Sequence, residues 1–453
     1  GGTGSHGGGG AAGMGGGIFI YDGAVAIDNV TFASNLAVGG NGGGGGVGAY
    51  GAGGGGIGGD GGPCQPGAGF AGAGIGGIGN GDGQGAGIAG FGGGTTGFNP
   101  GGFGGGGRGN GTIGQGTFGG VGQGGLGQGG GGAGLGGAIL IRQGSLTLNN
   151  TTFNNNTAAG GIGWQNGQAK GGAIFAIQST TNTSGNQNQM PTALPIVSIY
   201  NSPTFSGNTA TNQAGTATDN ANFYAIINNA PTAANQTVST NEDTDYTFIA
   251  TDFNFSDADV GDTLQTVKIT QLPTLGSVQL SSTNVTLNQE ILFADINAGN
   301  LKFIPIANAN GTNYDNFQFQ VSDGKVYSLN AYTATIDVTP VNDAPSFSNA
   351  GNQTLPTWTN TTQTVPNWAN TFVFGPTTDE NSQTVADFLV SVTSGNSLFT
   401  IVPDIANDGT LTYTPTGEPG TATVSVQLKD NGGVANGGVD TSTAATFTII
   451  IPP

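Results

Sequence analysis

The feature that most constrains this sequence is a 26-residue stretch that occurs twice. Residues Gly15–Gly40 align with Gly136–Gly161 without a gap, and glycine pairs open and close both copies. A supersecondary unit that recurs in this way predicts a repeat architecture, in which each copy is too small to fold alone and stacking of copies builds the core. The equivalent pairs include Ile18 and Ile139, Gly23 and Gly144, Phe32 and Phe153, and Asn35 and Asn156.

A third, degraded copy follows the second. It begins at Gly171–Phe175 and resumes, after an insertion, at Ile196–Ala210, where Phe205 and Asn208 replace the Phe and Asn of the second copy. Phe223–Ile227 is predicted as a last strand. The copies define the first part of the predicted fold, a parallel β-helix, or solenoid, whose coils occupy residues 1–40 and 136–227.

Short alternating runs of apolar residues mark strands within each copy, because period-two alternation is the β-strand pattern. In the first copy these runs are Ile18–Ile20, Val25–Ile27 and Val30–Phe32, with Asp22 and Gly23 as turn residues between them. The pattern predicts three short strands per coil. Equivalent asparagines are expected to stack as a side-chain amide ladder at a corner, where Asn tolerates a left-handed backbone; they are Asn35, Asn156 and Asn208.

Residues 41–135 separate the first two copies and consist mostly of glycine, since 68 of the 93 glycines precede Ala138. Glycine does not occupy every third position and proline is scarce, so this tract is not collagen. Its accidental glycine motifs have no strand-to-helix context and no phosphate-binding lysine. We predict polyproline-II-like or loop segments that are linked by backbone hydrogen bonds and supported by neighbouring subunits.

Charge and composition exclude several classes of function. The chain has 7 Lys plus Arg against 26 Asp plus Glu, and the net charge of -19 argues against nucleic-acid binding. The sequence contains no run of 18 apolar residues, so no membrane-spanning helix is predicted. The first ten residues are not typical of a signal peptide. Cys64 is the only cysteine, which excludes an intrachain disulfide. His6 is the only histidine, so no nucleophile–histidine pair and no zinc site is expected.

The composition changes at Asn228. Of the 26 acidic residues, 21 lie after Pro231. The sequence NNAP at Asn228–Pro231 recurs as NDAP at Asn342–Pro345, 114 residues later, which is a β-sandwich length. Dense alternating runs, among them Ile291–Phe293, Phe317–Val321, Phe372–Phe374 and Leu398–Ile401, predict two all-β sandwiches at residues 228–343 and 344–453.

Several motifs in these two regions resemble known surface modules. Residues 228–345 resemble the cadherin-like repeat of large bacterial adhesins, through NEDT, FSDADVGDTL, FQVSDG and NDAP. The last region resembles the Ig-like module that often follows it, through DGTLTYTP and VSVQLKDNGG. The repeat copies resemble β-helices of bacterial surface proteins. The chain as a whole is thereby similar to bacterial, cyanobacterial-type surface or adhesin proteins, a resemblance that implies no catalysis.

The cadherin-like resemblance implies calcium as a cofactor, held by carboxylates near the domain junctions. Three carboxylates also crowd one short loop, which is costly unless a hard cation neutralises them. The matching candidates in the first sandwich are Glu242, Asp243, Asp257, Asp259, Asp262, Asp323 and Asp343. The candidates in the second sandwich are Asp379, Glu380, Asp430 and Asp440.

Two functions remain open after an enzyme is set aside. In the first, the chain is a non-enzymatic, extracellular structural protein and a self-assembling subunit of a surface filament, sheath or matrix fibre, with itself as partner. In the second, it is a monomeric cell-surface adhesin segment that binds a glycan or receptor through loops of the repeat, with the sandwiches as a stalk. Fibres or isolated rods in electron micrographs distinguish the two.

Overall fold

The computed structural model describes residues 10–43, 91–93, 102–106, 117–123, 128–179, 190–376 and 379–453, which are all-β apart from one short α-helix and a few 3-10 turns. His6, Cys64 and most of the glycine tract lie outside these residues. The chain divides into two compact units. The first comprises the chain up to Thr232 together with Ser256–Thr263 and Ser322–Leu329, and the second comprises Ala233–Phe255, Leu264–Val321 and Asn330–Pro453.

Each of the first two copies, together with the two residues before it, contributes five short strands to the first unit. The prediction of three per copy was wrong, because the residues just before each copy and those near its end also pair. The strands of the first copy are β1 (Gly13–Met14), β2 (Ile18–Ile20), β3 (Ala24–Asp28), β4 (Thr31–Ala33) and β5 (Leu36–Val38). Those of the second copy are β6 (Gly134–Leu135), β7 (Ile139–Ile141), β8 (Ser145–Asn149), β9 (Thr152–Asn154) and β10 (Thr157–Ala159).

The third copy repeats the pattern, and two further strands follow it. Phe223–Ile227 does not form a single strand as predicted, because the chain turns within it and enters two different sheets. The strands are β11 (Ala169–Lys170), β12 (Ile174–Ala176), β13 (Ile196–Ile199), β14 (Thr204–Ser206), β15 (Thr209–Ala210), β16 (Phe223–Tyr224) and β17 (Ile227–Asn229). The predicted domain start at Asn228 therefore lies within β17.

Equivalent strands of successive copies pair in parallel. Five sheets result, with the orders β1-β6-β11, β15-β10-β5, β16-β12-β7-β2, β17-β13-β8-β3 and β14-β9-β4. The register follows the sequence alignment, since Ile18 pairs with Ile139 and Phe32 pairs with Phe153, which pairs with Phe205. The predicted equivalence of the three copies is confirmed, and the first copy lies at one edge of all five sheets.

The core of this unit stacks equivalent side chains. The Phe153 ring lies between those of Phe32 and Phe205, with centroid distances of 5.1 and 5.2 Å. The predicted amide ladder is also confirmed, because Asn35 Nδ2 donates to Asn156 Oδ1 at 2.8 Å and Asn156 Nδ2 donates to Asn208 Oδ1 at 2.9 Å. The left-handed corner residues are those that precede these asparagines, however, namely Ser34, Asn155 and Gly207.

The described glycine segments form a layer held by backbone groups. Gly132 N donates to Gly40 O at 2.9 Å, and Gly161 N donates to Gly132 O at 2.8 Å. A Cβ on Gly132 would lie 1.9 Å from Ala11 O, so only glycine fits there. Backbone hydrogen bonding between close-packed glycine segments was predicted and is present in the described residues. We call these segments, residues 10–13, 39–43, 129–134 and 160–167, the glycine layer.

Three phenylalanines fasten described parts of the glycine tract to the outer face of the β2-β7-β12-β16 sheet. Phe91 stacks on Phe103 with a centroid distance of 4.9 Å, and Phe103 meets Phe175 of β12 edge-on at 5.9 Å. Phe118 meets Tyr224 of β16 at 5.4 Å. Phe91 and Phe103 are fully buried. This sheet therefore has apolar side chains on both faces.

The first sandwich packs two sheets about one apolar core in the second unit. Their orders are β18-β26-β25-β20-β23 and β19-β24-β21-β22, and β18 pairs with β26 in parallel. Phe293 was predicted on a strand and instead begins the helix, where it is exposed. The elements are β18 (Gln236–Asn241), β19 (Tyr246–Thr247), β20 (Thr266–Gln271), β21 (Ser277–Leu280), β22 (Thr283–Asn284), β23 (Glu290–Leu292), α1 (Phe293–Asn297), β24 (Leu301–Ile304), β25 (Gly311–Ser322) and β26 (Tyr332–Thr339).

The second sandwich has its own core around the buried Trp368, whose ring centroid lies 4.3 Å from that of Phe447. Its sheets have the orders β27-β30, β28-β35-β34-β31 and β29-β33-β32. Phe374 lies outside β30 and Leu398 lies in a 3-10 turn, so these two predicted strand positions were wrong. The strands are β27 (Ser346–Asn349), β28 (Gln353–Thr354), β29 (Gln363–Val365), β30 (Ala369–Val373), β31 (Val385–Ser394), β32 (Phe399–Ile405), β33 (Leu411–Pro415), β34 (Gly420–Asp430) and β35 (Ala445–Ile451).

Candidate cation sites

The first candidate site lies in the first unit, where three of the predicted carboxylates converge. Oxygen atoms of Asp257, Asp262 and Asp323 all lie within 4.8 Å of one another. Asp257 and Asp262 belong to the loop Ser256–Thr263, which turns at Gly261 with a φ of 99°. Asp323 follows the end of β25. We call these three residues the aspartate triad.

Burial and like charge make the aspartate triad unfavourable for a free anion. Burial raises the pKa of Asp257; a bond from the Asp259 N–H opposes this shift, and the charges of Asp259, Asp323 and Asp262 add to it. Asp257 Oδ2 is buried and accepts no hydrogen bond among the described residues. Lys325 Nζ lies 2.7 Å from Asp262 Oδ2 and supplies a positive charge, and this bond raises the pKa of Lys325.

Two asparagines at the end of the repeat contact this loop, and sequence reasoning missed them. Asn228 Nδ2 donates to Asp323 Oδ2 at 2.9 Å. The backbone N–H and Nδ2 of Asn229 donate to the two oxygens of Asp259 at 2.6 and 2.8 Å, so this carboxylate is directed away from the triad. Both asparagines belong to the NNAP motif, whose amides were the only signal in the sequence for this role.

The second candidate site lies in the second unit and gathers five predicted carboxylates. Asn310 Nδ2 donates to Glu242 Oε2 at 3.0 Å and to Asp379 Oδ2 at 2.8 Å, which bridges two of them. The Asp343 N–H donates to Glu380 Oε1 at 2.6 Å. The Asn308 N–H donates to Asp243 Oδ1 at 2.8 Å. We call Glu242, Asp243, Asp343, Asp379 and Glu380 the five-carboxylate site.

The electrostatics of the five-carboxylate site favour a bound cation. Burial raises the pKa of Asp343, and the charges of Glu242, Asp243 and Asp379 raise it further. Burial likewise raises the pKa of Glu380, whose Oε2 is buried and accepts no bond in the described residues. Among the residues that the structure describes, no lysine or arginine forms an ion pair with Glu242, Asp243, Asp343 or Glu380.

Asp430 and Asp440 make different contacts. Asp440 Oδ2 lies 3.3 Å from Lys429 Nζ. The pKa of Asp440 is lowered mainly by a hydrogen bond from the Thr441 hydroxyl and, to a smaller extent, by Lys429. Asp430 is buried, and its Oδ1 accepts Asn342 Nδ2 at 3.2 Å and the Gly432 N–H at 2.9 Å. The eleven predicted ligands are thus divided into a triad, a five-carboxylate site and three residues with other partners, which are Asp259, Asp430 and Asp440.

Both sites fit a hard divalent cation by their donor chemistry. Ca²⁺ prefers carboxylate and carbonyl oxygens and tolerates irregular geometry. The five-carboxylate site offers acidic oxygens, one of which, Glu380 Oε2, is buried and accepts no hydrogen bond in the described residues. Four of its carboxylates have no lysine or arginine ion-pair partner there. In the described residues, only the aspartate triad brings oxygens of three carboxylates within 4.8 Å of one another, although Lys325 already neutralises part of its charge.

No helix in the described part of the chain is long and apolar enough to span a membrane. No curated protein sequence matches the chain. Residues 228–339 match the family model described as Bacterial Ig domain.

Solved structures of an N-cadherin and a protocadherin share weak similarity with the chain. Drosophila N-cadherin EC1-4 is 11% identical over 48% of this chain and 48% of its own, with a TM-score of 0.29. Human protocadherin-24 EC1-2 is 14% identical over 49% of this chain and 99% of its own, with a TM-score of 0.28. The chain spans about half of the N-cadherin structure. The first sandwich is thus similar to a bacterial Ig domain, a kind of domain typical of adhesion or surface proteins.

Proposed function

We propose that this chain is a non-enzymatic, extracellular structural protein of a bacterial surface and a self-assembling subunit of a filament, sheath or matrix fibre. The observation that carries the proposal is the open edge of the repeat. In the described residues, each strand of the first copy pairs with the second copy on one side and with nothing on the other. An unpaired row of backbone N–H and C=O groups is a template for another chain.

We further infer that the five parallel sheets are the faces of a parallel β-helix. The constant register between copies, the stacked phenylalanines and the amide ladder all support continuous winding. The glycine layer supports a structural role, because its backbone-to-backbone packing fixes chain that would otherwise cost much conformational entropy to order.

The five-carboxylate site is proposed to hold calcium. Glu242, Asp343 and Glu380 would supply carboxylate ligands, with Asp243 and Asp379 beside them. A bound cation would supply positive charge to oxygens that are now buried near like charges. Without it, the raised pKa values of Asp343 and Glu380 make the ionised folded state costly.

Electron microscopy of the native chain tests the structural proposal. We expect regular fibres or sheets in the presence of calcium, and loss of order after a chelator is added. Isolated rods at every protein concentration and in both conditions would contradict a self-assembling subunit. Imaging of the same chain with the first copy deleted serves as a control, because the open edge would then be altered while both sandwiches remain.

Calorimetry with calcium tests the five-carboxylate site separately. At about 100 times the dissociation constant, a single bound ion would stabilise the fold by about 2.7 kcal/mol. The gain is expected near neutral pH and should vanish below about pH 4, where carboxyl groups are protonated. The sign follows from the raised folded-state pKa values of Asp343 and Glu380. Without calcium, the contribution of these two groups to the stability of the fold is present at low pH and is lost as pH rises.

The matched variants for this experiment are Asp343→Asn with Glu380→Gln, and the exposed pair Asp387→Asn with Asp404→Asn. Both pairs remove two charges, but the control pair lies outside the five-carboxylate site. Calcium stabilisation should disappear in the first double variant and persist in the second. Equal calcium responses in both would rule out the site.

A monomeric adhesin segment is the second candidate function. Trp164 and Ile162, in the loop that follows the second copy, are 55% and 68% exposed. Exposed aromatic and aliphatic side chains on a loop can stack on a sugar ring or a receptor surface. Binding of the chain to a glycan array, and its loss in Trp164→Ala, would favour this function over assembly.

A further inference from the structure

The outer edge of the first copy carries backbone groups that are aimed away from the rest of the repeat. Ser145 N donates to Gly23 O and Asn29 N donates to Asn149 O. Because N–H and C=O directions alternate along a parallel strand, Ala24, Ala26 and Asp28 direct theirs to the opposite side. Beside β1 this side is already covered, because Ala12 N donates to Gly92 O at 2.9 Å. We call the side of β2–β5 that faces away from the second copy the outer edge.

Two side-chain columns run towards this edge and stop on carboxylates. In the longer column, Asn201 Nδ2 donates to Asn149 Oδ1 at 2.7 Å, and Asn149 Nδ2 donates to Asp28 Oδ1 at 2.9 Å. In the other, Gln143 Nε2 donates to Asp22 Oδ2 at 3.2 Å. An ionised carboxylate only accepts hydrogen bonds, so neither column can continue by donating to a further strand.

The amide ladder ends at the same edge with an acceptor as well. The backbone N–H and Nδ2 of Asn35 both donate to Asn156 Oδ1, at 3.0 and 2.8 Å. In the described residues, no donor reaches Asn35 Oδ1. All three columns therefore present oxygen atoms at the outer edge. Two molecules of this chain that met at the outer edge with ionised carboxylates would bring acceptors and negative charges together, which disfavours association.

The first copy also differs from the second in its exposed side chains. Leu36 and Val38 are 56% and 41% exposed on β5. Their partners in the second copy are Thr157 and Ala159, and Thr209 follows in the third. Large apolar side chains thus occur in the first copy, where the interior second copy carries small or hydroxyl side chains. Exposed apolar groups beside unpaired strands indicate a surface that becomes covered.

We propose that the outer edge is the surface on which two copies of this chain meet, and that Asp22 and Asp28 keep it closed until their charge is neutralised. This inference rests on the proposed self-assembly and names its interface and its control. A second copy is the occupant that fits, because the second repeat copy already shows that this sequence accepts an equivalent stretch on both of its edges. The same apolar and polar groups would meet across a two-fold axis, so the strands of the two chains would run antiparallel there, and the contact closes a pair that a fibre must extend through other surfaces.

Few charged or titratable groups face the two carboxylates. Arg142 lies over the Tyr21 ring at 4.2 Å and donates to Tyr21 O at 3.3 Å, next to Asp22. Gln143 and Asn149, the residues that contact Asp22 and Asp28 directly, do not titrate. Asparagine in place of Asp22 and Asp28 would add a donor to the end of each column and would remove the repulsion.

Sedimentation velocity of the full chain at about pH 7, where aspartate side chains are ionised, tests the inference with three proteins. The proteins are the wild type, Asp22→Asn with Asp28→Asn, and the control Asp387→Asn with Asp404→Asn, which changes net charge equally. We expect the wild type and the control to pair equally weakly. The edge variant should pair with a dissociation constant at least about tenfold lower than that of the wild type.

Hydrogen exchange of the same samples locates the contact. Amides of Ala24, Ala26 and Asp28 should exchange fast in the monomer and slowly in the pair. Slow exchange in the monomer would show that another segment of the same chain covers the edge, which overturns the inference. Equal sedimentation of the edge and control variants would overturn it too. Fibres whose formation is unaffected by the edge variant would overturn this inference and leave the proposed self-assembly standing.

Discussion

Gly132 and Trp368 are both fully enclosed, yet their surroundings differ in kind. Around Gly132 the neighbours are carbonyl and amide groups of Ala11, Gly40 and Gly161. Around Trp368 they are side chains, with Phe447 against its ring and only Nε1 bonded to a carbonyl, Gly351 O at 3.0 Å. One region is packed by backbone against backbone, and the other by an apolar core.

The two kinds of packing distribute their energy differently. A sandwich core gains from apolar burial, which is spread over many side chains and tolerates modest changes of shape. The glycine layer buries almost no apolar side chain, so it depends on hydrogen bonds whose net contribution is about 1 kcal/mol each. We therefore expect the layer to fail abruptly when one backbone is displaced, because several hydrogen bonds are lost together.

The largest effect is expected from Gly132→Val. Its Cβ would lie 1.9 Å from Ala11 O, and a branched side chain adds further clashes. The layer must open, at a cost above about 4 kcal/mol, which is exceptional for a single substitution. Hydrogen exchange of peptides from residues 10–43 and 128–167 would show loss of protection there, while the peptides of the second sandwich stay unchanged.

Gly433→Ala is the matched control for this substitution. An added Cβ at Gly433 meets nothing within 4 Å, although the φ of 82° strains any side chain. A cost of about 1–2 kcal/mol is expected from the backbone alone. Comparable destabilisation by the two substitutions would mean that the glycine layer has no special intolerance.

Trp368→Ala is expected to have the next largest effect. It empties a large volume in the second sandwich and leaves the Gly351 carbonyl without its indole donor, at a cost of about 3–5 kcal/mol. Calorimetry should show one transition moved to lower temperature. The transition of the first unit serves as the internal reference, and a shift of both transitions would contradict separate cores.

Phe103→Ala tests one of the phenylalanines that anchor the described parts of the glycine tract. Phe103 is 2% exposed and contacts both Phe91 and Phe175. We expect a cost of about 3 kcal/mol, at the lower end for a buried phenylalanine because the surrounding glycine segments can settle into the space. Exchange should accelerate around residues 102–106 and less so at Gly129–Gly134. Equal acceleration in both would mean that the anchor supports the whole layer.

Much of the repeat could be predicted from sequence, because a constant offset between copies fixes both pairing and register. Ile139, Phe153 and Asn156 pair as the alignment requires. The sequence could not indicate which of the many isolated apolar residues in the glycine tract become anchors. Phe91 and Phe103 are selected by the outer face of a sheet whose Phe175 is aimed away from the core.

The candidate sites show a similar limit. Crowding of Asp257 and Asp262 in one loop predicted a cluster, and the two carboxylates do meet. Their third member, Asp323, comes from a distant turn, and Asp259 is diverted by Asn229. Such choices depend on which loops the strand pairing brings together, and carboxylates in turns look alike in sequence whether they converge or remain solvated.

The smallest effect is expected from Asp315→Asn. In the glycine layer backbone groups bond one another, whereas here a side-chain carboxylate accepts the N–H groups of a turn. Asp315 accepts the N–H groups of Thr274, Leu275 and Gly276 at 2.8 to 3.0 Å. Burial alone would raise its pKa, but these bonds and that from Asn316 N together lower it.

Because the folded-state pKa of Asp315 is below its unfolded value, its stabilisation is present above about pH 4 and is lost as pH falls through the folded-state pKa. The amide retains one acceptor oxygen but loses the charge, so about 1–2 kcal/mol should be lost near neutral pH. The difference between wild type and variant in urea denaturation should shrink below about pH 3. A difference that is constant with pH would mean that backbone pairing, as in the glycine layer, holds this turn without help from the carboxylate charge.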